Sequence, residues 1–442
     1  MDTKTKADAG LGTEKIPKLI LRFTAATMSA LLLNLLYSFF DALLVSWGVG
    51  DNAMGSVSVV FPFVILQAAI STAVGAGAAS IVSIKLGENK PQEAGEITLN
   101  AMFVFYTSAI IITLLGLLFL EPALQAMGVT EELLAASKQY LTIILAGNVF
   151  STGFSSIIRA EGKMKYALLI WVIPVSVNIV FDIVLIFVLK MGVAGSALGT
   201  VIGQFISFSM SILFFARFSG QVFKNTRISL KTISNVLLTG LPPLIQTAGL
   251  SLITLVQNNM LRQVSGTLGV TTFAFIGRIV SFVMVPFSAI TQAAAPVIGF
   301  SYGIKDGKRV KSAVLFSLKL AYVYAAVSFF ILYLLSNKAL GLFTANTDII
   351  SVGTKGLQII AFSIFLMPFP SLTGTAFQSV GNRKYALIMF AAQTVFFIPL
   401  SIILSHAFGL EGIWWAYPAA YLCTNLMAFA LLHKQKSRQK RV

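Results

Sequence analysis

The amino-acid sequence predicts an all-α membrane protein with twelve transmembrane helices in two pseudo-symmetric six-helix bundles. Three observations support this fold class. Hydrophobic residues make up 57% of the 442 residues, and charged residues only 11%. Twelve apolar stretches are each long enough to cross a bilayer, and landmarks of the first half of the chain recur in the second half.

The composition excludes most soluble classes of protein. A soluble domain usually has about 45–50% apolar and about 25% charged residues, so this chain has too few charges to cover a soluble surface. We therefore exclude a soluble enzyme, a disordered protein and a soluble nucleic-acid binder, although the net charge is +16. The single cysteine, Cys423, excludes an internal disulfide framework.

Each apolar stretch is expected to form a helix. A bilayer core of about 30 Å needs about 20 apolar residues, and without water only a helix or a closed barrel satisfies the backbone. The stretches lack the alternation of barrel strands, and no cleavable signal peptide is expected at the polar start of the chain. The predicted spans are 19–46, 54–84, 97–120, 133–158, 166–189, 194–216, 236–261, 268–302, 312–335, 356–379, 385–407 and 410–432.

The connections between spans alternate in charge. Three of the 32 basic residues lie within spans. With both termini in the cytoplasm, the outside receives only Lys138, Lys190, Arg262, Lys338 and Lys355. Basic residues concentrate in the cytoplasmic loops of membrane proteins. We therefore expect an even number of spans with both termini in the cytoplasm.

An internal repeat relates the two halves. RAEGKMKYALLI (159–170) corresponds to QSVGNRKYALIM (378–389), and MGVAG (191–195) corresponds to FGLEG (408–412). Six spans return the chain to the same side, so the halves should share one orientation and be related by an axis along the membrane normal.

The repeat predicts a division of the chain into five segments. The link between the bundles contains four basic residues and no acidic one, which is typical of a cytoplasmic segment that lies on anionic headgroups. The segments are an amino-terminal tail (1–15), a first bundle (16–216), a linker (217–235), a second bundle (236–433) and a basic carboxy-terminal tail (434–442).

Two carboxylates, Asp41 and Asp182, fall well inside predicted spans. A carboxylate at the centre of a membrane helix costs about 2.5–3.5 kcal/mol on insertion scales, so such residues mark functional sites by default. Asn34 and Tyr37 precede Asp41 on the same face of the first helix, and Asn178 lies one turn before Asp182.

The sixth predicted span adds further polar groups. Thr200 and Gln204 share one face, and a short turn joins this span to the one that carries Asp182. A carboxylate pair in such a pocket can bind and release a proton, and the same oxygens can coordinate Na⁺ as a hard cation. The alternative is that each Asp makes only a structural hydrogen bond.

The second half lacks both carboxylates, because Asn259 and Ser401 occupy the equivalent positions. Its polar residues can line a substrate path or form ordinary interhelical hydrogen bonds. The candidate substrate-binding residues of the whole chain are Asn34, Gln67, Asn148, Gln204, Gln257 and Asn259.

Several catalytic signatures are missing from the sequence. It has no HExxH, no GxSxG with catalytic partners, no phosphate-binding glycine-rich lysine motif and no cysteine cluster. We therefore expect neither an enzyme nor ATP-driven transport, and no cofactor other than a coupling ion.

These features together resemble the multidrug and toxic compound extrusion (MATE) family, in its prokaryotic DinF-like and MepA-like branch. The resemblance rests on the two six-span halves, YSFFD (37–41), RAEGKMKYA and VGNRKYA. It implies cation-coupled antiport of drugs and organic cations by alternating access. It also implies a proton or Na⁺ site in the first half, made by Tyr37, Asp41, Asn178, Asp182 and Thr200. If Na⁺ is bound, its ligands would be Asp41, Asn178, Asp182 and Thr200.

The resemblance also sets expectations for location, partners and departures. It implies a prokaryotic plasma (inner) membrane protein, monomeric, that acts on lipophilic or cationic drugs in contact with membrane lipid and not on nucleic acid. Family members often have a Pro that bends the first helix, whereas TAATMSA (24–30) has none. The rival functions are a lipid-linked oligosaccharide flippase of the same superfamily and, further away, an intramembrane aspartyl protease.

Overall fold

The computed structural model describes residues 10–49, 51–126, 131–150, 153–224, 226–342, 344 and 346–439, and within them it contains helices and no strand. Eleven stretches of these residues are long and apolar enough to cross a membrane. The last stretch, Arg383–Gln435, contains Gly409 with φ 58° and ψ −132°, so two helices meet there. The predicted all-α membrane fold is confirmed.

The described residues of the first half of the chain form eight α-helices. A 3₁₀ turn, Asn148–Phe150, splits the fourth predicted span, and a π-helical segment, Val184–Val188, ends the fifth. The helices are α1 (Ile16–Val49), α2 (Asp51–Gly87), α3 (Pro91–Leu118), α4 (Leu120–Ala126), α5 (Glu131–Gly147), α6 (Phe154–Ala160), α7 (Met164–Ile183) and α8 (Val193–Arg217).

The second half repeats this plan with longer helices. A helical run from Leu230 to Gly303 contains Gly266 with a non-helical φ of 61°, which divides it into two helices. These are α9 (Leu230–Gly266) and α10 (Leu268–Gly303), followed by α11 (Gly307–Gly341), α12 (Thr347–Leu366), α13 (Pro368–Ser379) and α14 (Arg383–Gln439). The predicted linker 217–235 therefore ends in helix, and helix continues into the predicted tail 434–442.

The internal repeat is also present in the backbone. Gly162 and Gly381 have φ angles of 75° and 77°, and Gly192 and Gly409 have φ angles of 60° and 58°. Such angles favour glycine because it has no Cβ. The two halves therefore turn the chain in the same way at the same places.

The chain divides into two compact units. The first comprises mainly Ala25–Gly240 with Gly299–Lys305, and the second comprises Lys15–Thr24, Leu241–Ile298 and the chain from Asp306 onward. Three helices, α1, α9 and α10, thus contribute residues to both units. The predicted boundaries of the five segments stay a prediction.

Large apolar side chains cover much of the surface. Leu118 and Leu334 are 73% and 71% exposed, and Phe330 is 59% exposed. Large contiguous apolar patches are unusual on soluble monomers. The exposed leucine and phenylalanine side chains are those expected of a surface solvated by lipid.

Helices of the first unit approach closely where both carry glycine. A Cβ at Gly77 of α2 would overlap the backbone of Gly240 in α9, and a Cβ at Gly240 would overlap the carbonyl of Ala73. Small residues at such crossings bring the backbones of membrane helices into contact. The start of α9 is therefore packed against α2.

The segment after α8 is fastened to the turn between α6 and α7 by one buried carboxylate. The Glu161 side chain is 0% exposed. It accepts hydrogen bonds from Ser219 Oγ (2.6 Å), Gly220 N (2.7 Å) and Gln221 Nε2 (2.6 Å). Burial raises the pKa of the Glu161 carboxyl, and these three donors oppose that shift.

More hydrogen bonds continue along the same segment. Thr98 Oγ1 donates to Gln221 Oε1 (2.5 Å), Asn100 Nδ2 donates to the Arg227 carbonyl (2.9 Å), and Ser229 N donates to Asn100 Oδ1 (2.8 Å). This part of the linker is therefore a fixed element of the first unit.

We expect Glu161→Ala to free the segment 217–224. The change leaves Ser219, Gly220 and Gln221 without their acceptor, which should lower the free energy of unfolding by about 2–3 kcal/mol. Hydrogen exchange of purified protein should show faster exchange in this segment. Glu131→Ala, at an exposed glutamate in the first turn of α5, is the control. Unchanged exchange in Glu161→Ala would show that the carboxylate does not hold the segment.

Candidate ion and substrate site

Helices α7 and α8 form an antiparallel hairpin joined by side-chain hydrogen bonds. Tyr166 Oη donates to the Met210 carbonyl (2.8 Å), and Ser207 Oγ donates to the Ile170 carbonyl (3.1 Å). These bonds set the register in which Asn178 and Asp182 of α7 face α8.

Three glycines four residues apart bring α8 close to α7. A Cβ at Gly199 would overlap Oδ1 of Asp182, and a Cβ at Gly203 would lie 3.2 Å from Cβ of Asn178. A Cβ at Gly195 would press on the backbone at Leu185. The spacing is the small-residue pattern of close membrane helix pairs. The polar side chains of α7 therefore lie against bare backbone of α8.

Asp182 and Asn178 are almost completely buried. Their exposures are 0% and 3%, and Asn178 Nδ2 lies 3.5 Å from Asp182 Oδ1, at the limit of a hydrogen bond. The π-helical segment Val184–Val188 follows within two residues. Such segments are frequent at functional sites because they interrupt the regular helical hydrogen bonds.

Asp41 of α1 reaches the same pocket. Its carboxyl group lies within hydrogen-bonding reach of the Asp182 carboxyl. A deprotonated carboxylate has no donor, so a hydrogen bond between these two groups needs a proton on one of them. No basic side chain in the described parts of the chain forms an ion pair with either group.

Two tyrosines border the carboxyl pair. The Tyr37 side chain forms a hydrogen bond with Thr200 of α8. Tyr140 of α5, 6% exposed, lies near enough to Asp41 and Asp182 for their charges to act on its hydroxyl. The structure thus brings Tyr37, Asp41, Asn178, Asp182 and Thr200 together.

Tyr140 was not among the site residues predicted from the sequence. It follows Ser137 by three residues, so the two share a face of α5, and Ser137 is 0% exposed. This same-face polar pair was the available signal. Serine and tyrosine are common in membrane helices, however, and only the packing of α5 shows that the Tyr140 side chain lies near the two carboxyl groups.

Several oxygen atoms of the pocket have no hydrogen-bond partner within the described residues. They are Oδ1 of Asp41, Oδ2 of Asp182 and Oδ1 of Asn178, all buried. Oxygen ligands suit a proton or a hard cation. The described residues contain no group of three His, Cys, Asp or Glu side chains that could hold a metal ion.

The other candidate residues of the first unit lie in different surroundings. Gln204 has a buried Oε1 with no partner among the described residues, on the same helix as Thr200. Asn148 Nδ2 donates to the Ala109 carbonyl (3.3 Å), which is a structural contact. Asn34 is half-buried on α1, and the side chain of Gln67 lies outside the described part of the molecule.

The two candidates of the second unit diverge. Gln257 is 0% exposed, and its Oε1 accepts a hydrogen bond from Tyr417 Oη. Asn259 is exposed, and its Nδ2 donates to the Leu255 carbonyl one turn earlier (3.0 Å). The two side chains do not form one site.

Comparison with protein families matches residues 26–184 and 242–403 to the MatE family. The two matched segments cover most of the chain. The chain belongs to the MatE family. It is accordingly a multi-pass membrane transporter and not an enzyme, as the sequence predicted.

Individual MatE relatives match along nearly the whole chain. The multidrug export protein MepA of Staphylococcus aureus (strain MSSA476) is 23% identical over 435 residues, which is 96% of each chain. A structure of MATE in the bent conformation has a TM-score of 0.91 at 22% identity, covering 98% of both chains. An outward-facing multidrug resistance MATE family transporter of the MOP superfamily has a TM-score of 0.90 at 22% identity, covering 98% of this chain and 99% of that chain. At this identity the structures show the same fold.

We expect Gly199→Ala to displace the Asp182 carboxyl. The new methyl group would overlap Oδ1, and such overpacking costs about 1–3 kcal/mol. Infrared spectra of purified protein should show a shifted band for the protonated carboxyl, and Asp182→Asn should remove that band. Ser209→Ala, on an exposed part of α8, is the control and should leave the band in place. An unshifted band in Gly199→Ala would mean that α8 moves to accommodate the methyl group and that the Asp182 carboxyl group stays in place.

Proposed function

We propose that this MatE protein is a secondary active multidrug exporter. It would exchange lipophilic or cationic drugs for H⁺ by alternating access, with coupling at Asp41 and Asp182. Na⁺ is the second candidate for the coupling ion. The multidrug export protein MepA, similar over 96% of both chains, supports the drug substrates. The same likeness supports a prokaryotic plasma membrane, and the charge pattern supports cytoplasmic termini.

The observation that carries the coupling proposal is the buried carboxyl pair. Two acidic groups within hydrogen-bonding reach, without a basic partner, cannot both be ionised at low cost. One proton shared between the two carboxyl groups leaves the pair with one negative charge, and a second proton or a cation removes that remaining charge. Binding and release of one positive charge is therefore the natural reaction of this pocket.

Proton coupling is the first choice between the two ions. A hydrogen bond between the Asp41 and Asp182 carboxyl groups would need only one proton, whereas Na⁺ needs several oxygen ligands directed at one point. The unpartnered oxygens of Asp41, Asn178 and Asp182 make Na⁺ the second choice.

Coupling requires that ion and drug favour different states of the transporter. A ligand shifts a conformational equilibrium only through its difference in affinity for the two states, and linkage makes the effect reciprocal. We propose that protonation of the pair lowers the affinity of the first unit for drug. Drug would then leave when the pair takes up a proton.

Asp41→Asn and Asp182→Asn should each abolish drug efflux while the protein is still made and folded. An amide keeps the size of the side chain but cannot take up and release the proton. Efflux of ethidium from cells expressing each variant measures the effect, with protein level and melting temperature checked in parallel.

Asp348→Asn is the matched control for these two variants. Asp348 is an exposed acidic residue in the first turn of α12, outside the site. Efflux by the Asp348→Asn variant should therefore equal that of the wild type. Normal efflux in Asp41→Asn would remove the coupling role from the pair.

A pH gradient alone should drive transport in proteoliposomes. With Na⁺ replaced by choline on both sides, purified protein should move ethidium when the gradient is imposed and stop when an ionophore collapses it. The Asp41→Asn protein is the control for leak. If transport requires Na⁺ and does not depend on the pH gradient, the coupling ion is Na⁺ and not H⁺.

A further inference from the structure

The second unit has replaced the ion site with an aromatic and amide cluster. The repeat pairs Asn178 with Phe397, and after the glycine turn it pairs Thr200 with Tyr417. The position equivalent to Asp182 is Ser401, whose hydroxyl donates to the Ile398 carbonyl (2.8 Å). The same backbone plan therefore carries no charged side chain at these three positions.

Tyr417 contacts both Phe397 and Gln257. The rings of Phe397 and Tyr417 have centroids 4.6 Å apart. Tyr417 Oη donates to Gln257 Oε1, which joins α14 to α9. Phe397 and Gln257 are 0% exposed, whereas Tyr417 is half-buried. The partly exposed Tyr417 is therefore the accessible member of the cluster.

The amide of Gln257 has a donor to spare. Its Nε2 is buried and has no hydrogen-bond partner among the described residues. A buried N–H without an acceptor is unfavourable, and native proteins rarely keep one without a reason. The amide of Gln393 differs from that of Gln257, because the Gln393 side chain is hydrogen-bonded to Tyr421. The free N–H lies beside the tyrosine whose ring is accessible.

We propose that Gln257, Tyr417 and Phe397 form a substrate subsite that recognises aromatic compounds with an uncharged acceptor oxygen, such as a ketone carbonyl. A substrate ring that displaces the side chains covering this cluster stacks on Tyr417, and its oxygen then accepts a hydrogen bond from Gln257 Nε2, which this structure buries. Aromatic rings stack favourably in this way. The subsite rests on the proposed drug export, and it adds a preference for substrates that carry such an acceptor oxygen.

The neutrality of the cluster excludes recognition by charge. An amide donor that stays unpaired when a substrate lacks the oxygen disfavours that substrate relative to one that carries the oxygen.

A pair of matched ligands tests the subsite. The compounds are para-benzoyl-N-methylpyridinium and para-benzyl-N-methylpyridinium, which have the same charge and rings and differ only in a carbonyl against a methylene. Their Kd values are measured by quenching of tryptophan fluorescence in the purified full-length protein. The wild type should bind the ketone about three- to tenfold more tightly, the range of one hydrogen bond.

Gln257→Leu should remove this preference and leave the affinity for the benzyl compound nearly unchanged. Gln358→Leu is the matched control, because Gln358 lies in the same unit and donates to the Tyr333 carbonyl (3.2 Å). It should keep the wild-type preference. Melting temperatures show whether both variants are folded. If Gln257→Leu does not fold, Tyr417→Phe replaces it and should reduce the preference, since the hydroxyl orients the amide.

Three results would overturn the proposal. They are equal affinities of the wild type for the two compounds, a preference that survives in Gln257→Leu, or an equal loss of both affinities in that variant, which indicates a structural role. Because binding is measured without transport, the result is separate from the failure of drug export. Loss of efflux with an intact ketone preference would count against the exporter alone.

Discussion

The site depends on one electrostatic constraint, which is that two carboxyl groups share a buried pocket without a basic partner. Asp41 and Asp182 belong to α1 and α7, and Gly199 lets α8 lie directly against Asp182. An unpaired charge in such a place is costly. A proton or a cation bound at the pair would remove part of that cost, because it lowers the net negative charge of the pocket.

The internal repeat preserves the backbone and not the chemistry. Gly192 and Gly409 turn the chain with nearly equal φ angles, yet the carboxylate at position 182 is a serine at position 401. A duplicated scaffold can in this way carry an ionisable site in one unit and an aromatic one in the other. Function here is set by few side chains placed on a common frame.

Much of the fold and of the site could be predicted from the sequence, for identifiable reasons. Hydropathy sets the spans, since each must satisfy its backbone in lipid. The spacing of Asn178 and Asp182 places them on one face of a helix. Tyr140 could not be predicted because its role depends on how α5 packs. The break of the tenth span at Pro368, which begins α13, also followed from packing, because a proline inside a membrane helix does not always end it.

The buried carboxylate of Glu161, between α6 and α7, has no equivalent in the second half of the chain. Val380 occupies the position equivalent to Glu161. The turn between α6 and α7 therefore has a carboxylate acceptor for the segment after α8, and the equivalent turn of the second half has none. Substitution at Ser219 or Gln221 is then constrained by a residue about sixty positions earlier. Insertions or reporter tags placed between 218 and 222 would separate these partners. The chain between the two halves is thus tied to the first unit by specific hydrogen bonds and does not act as a simple spacer.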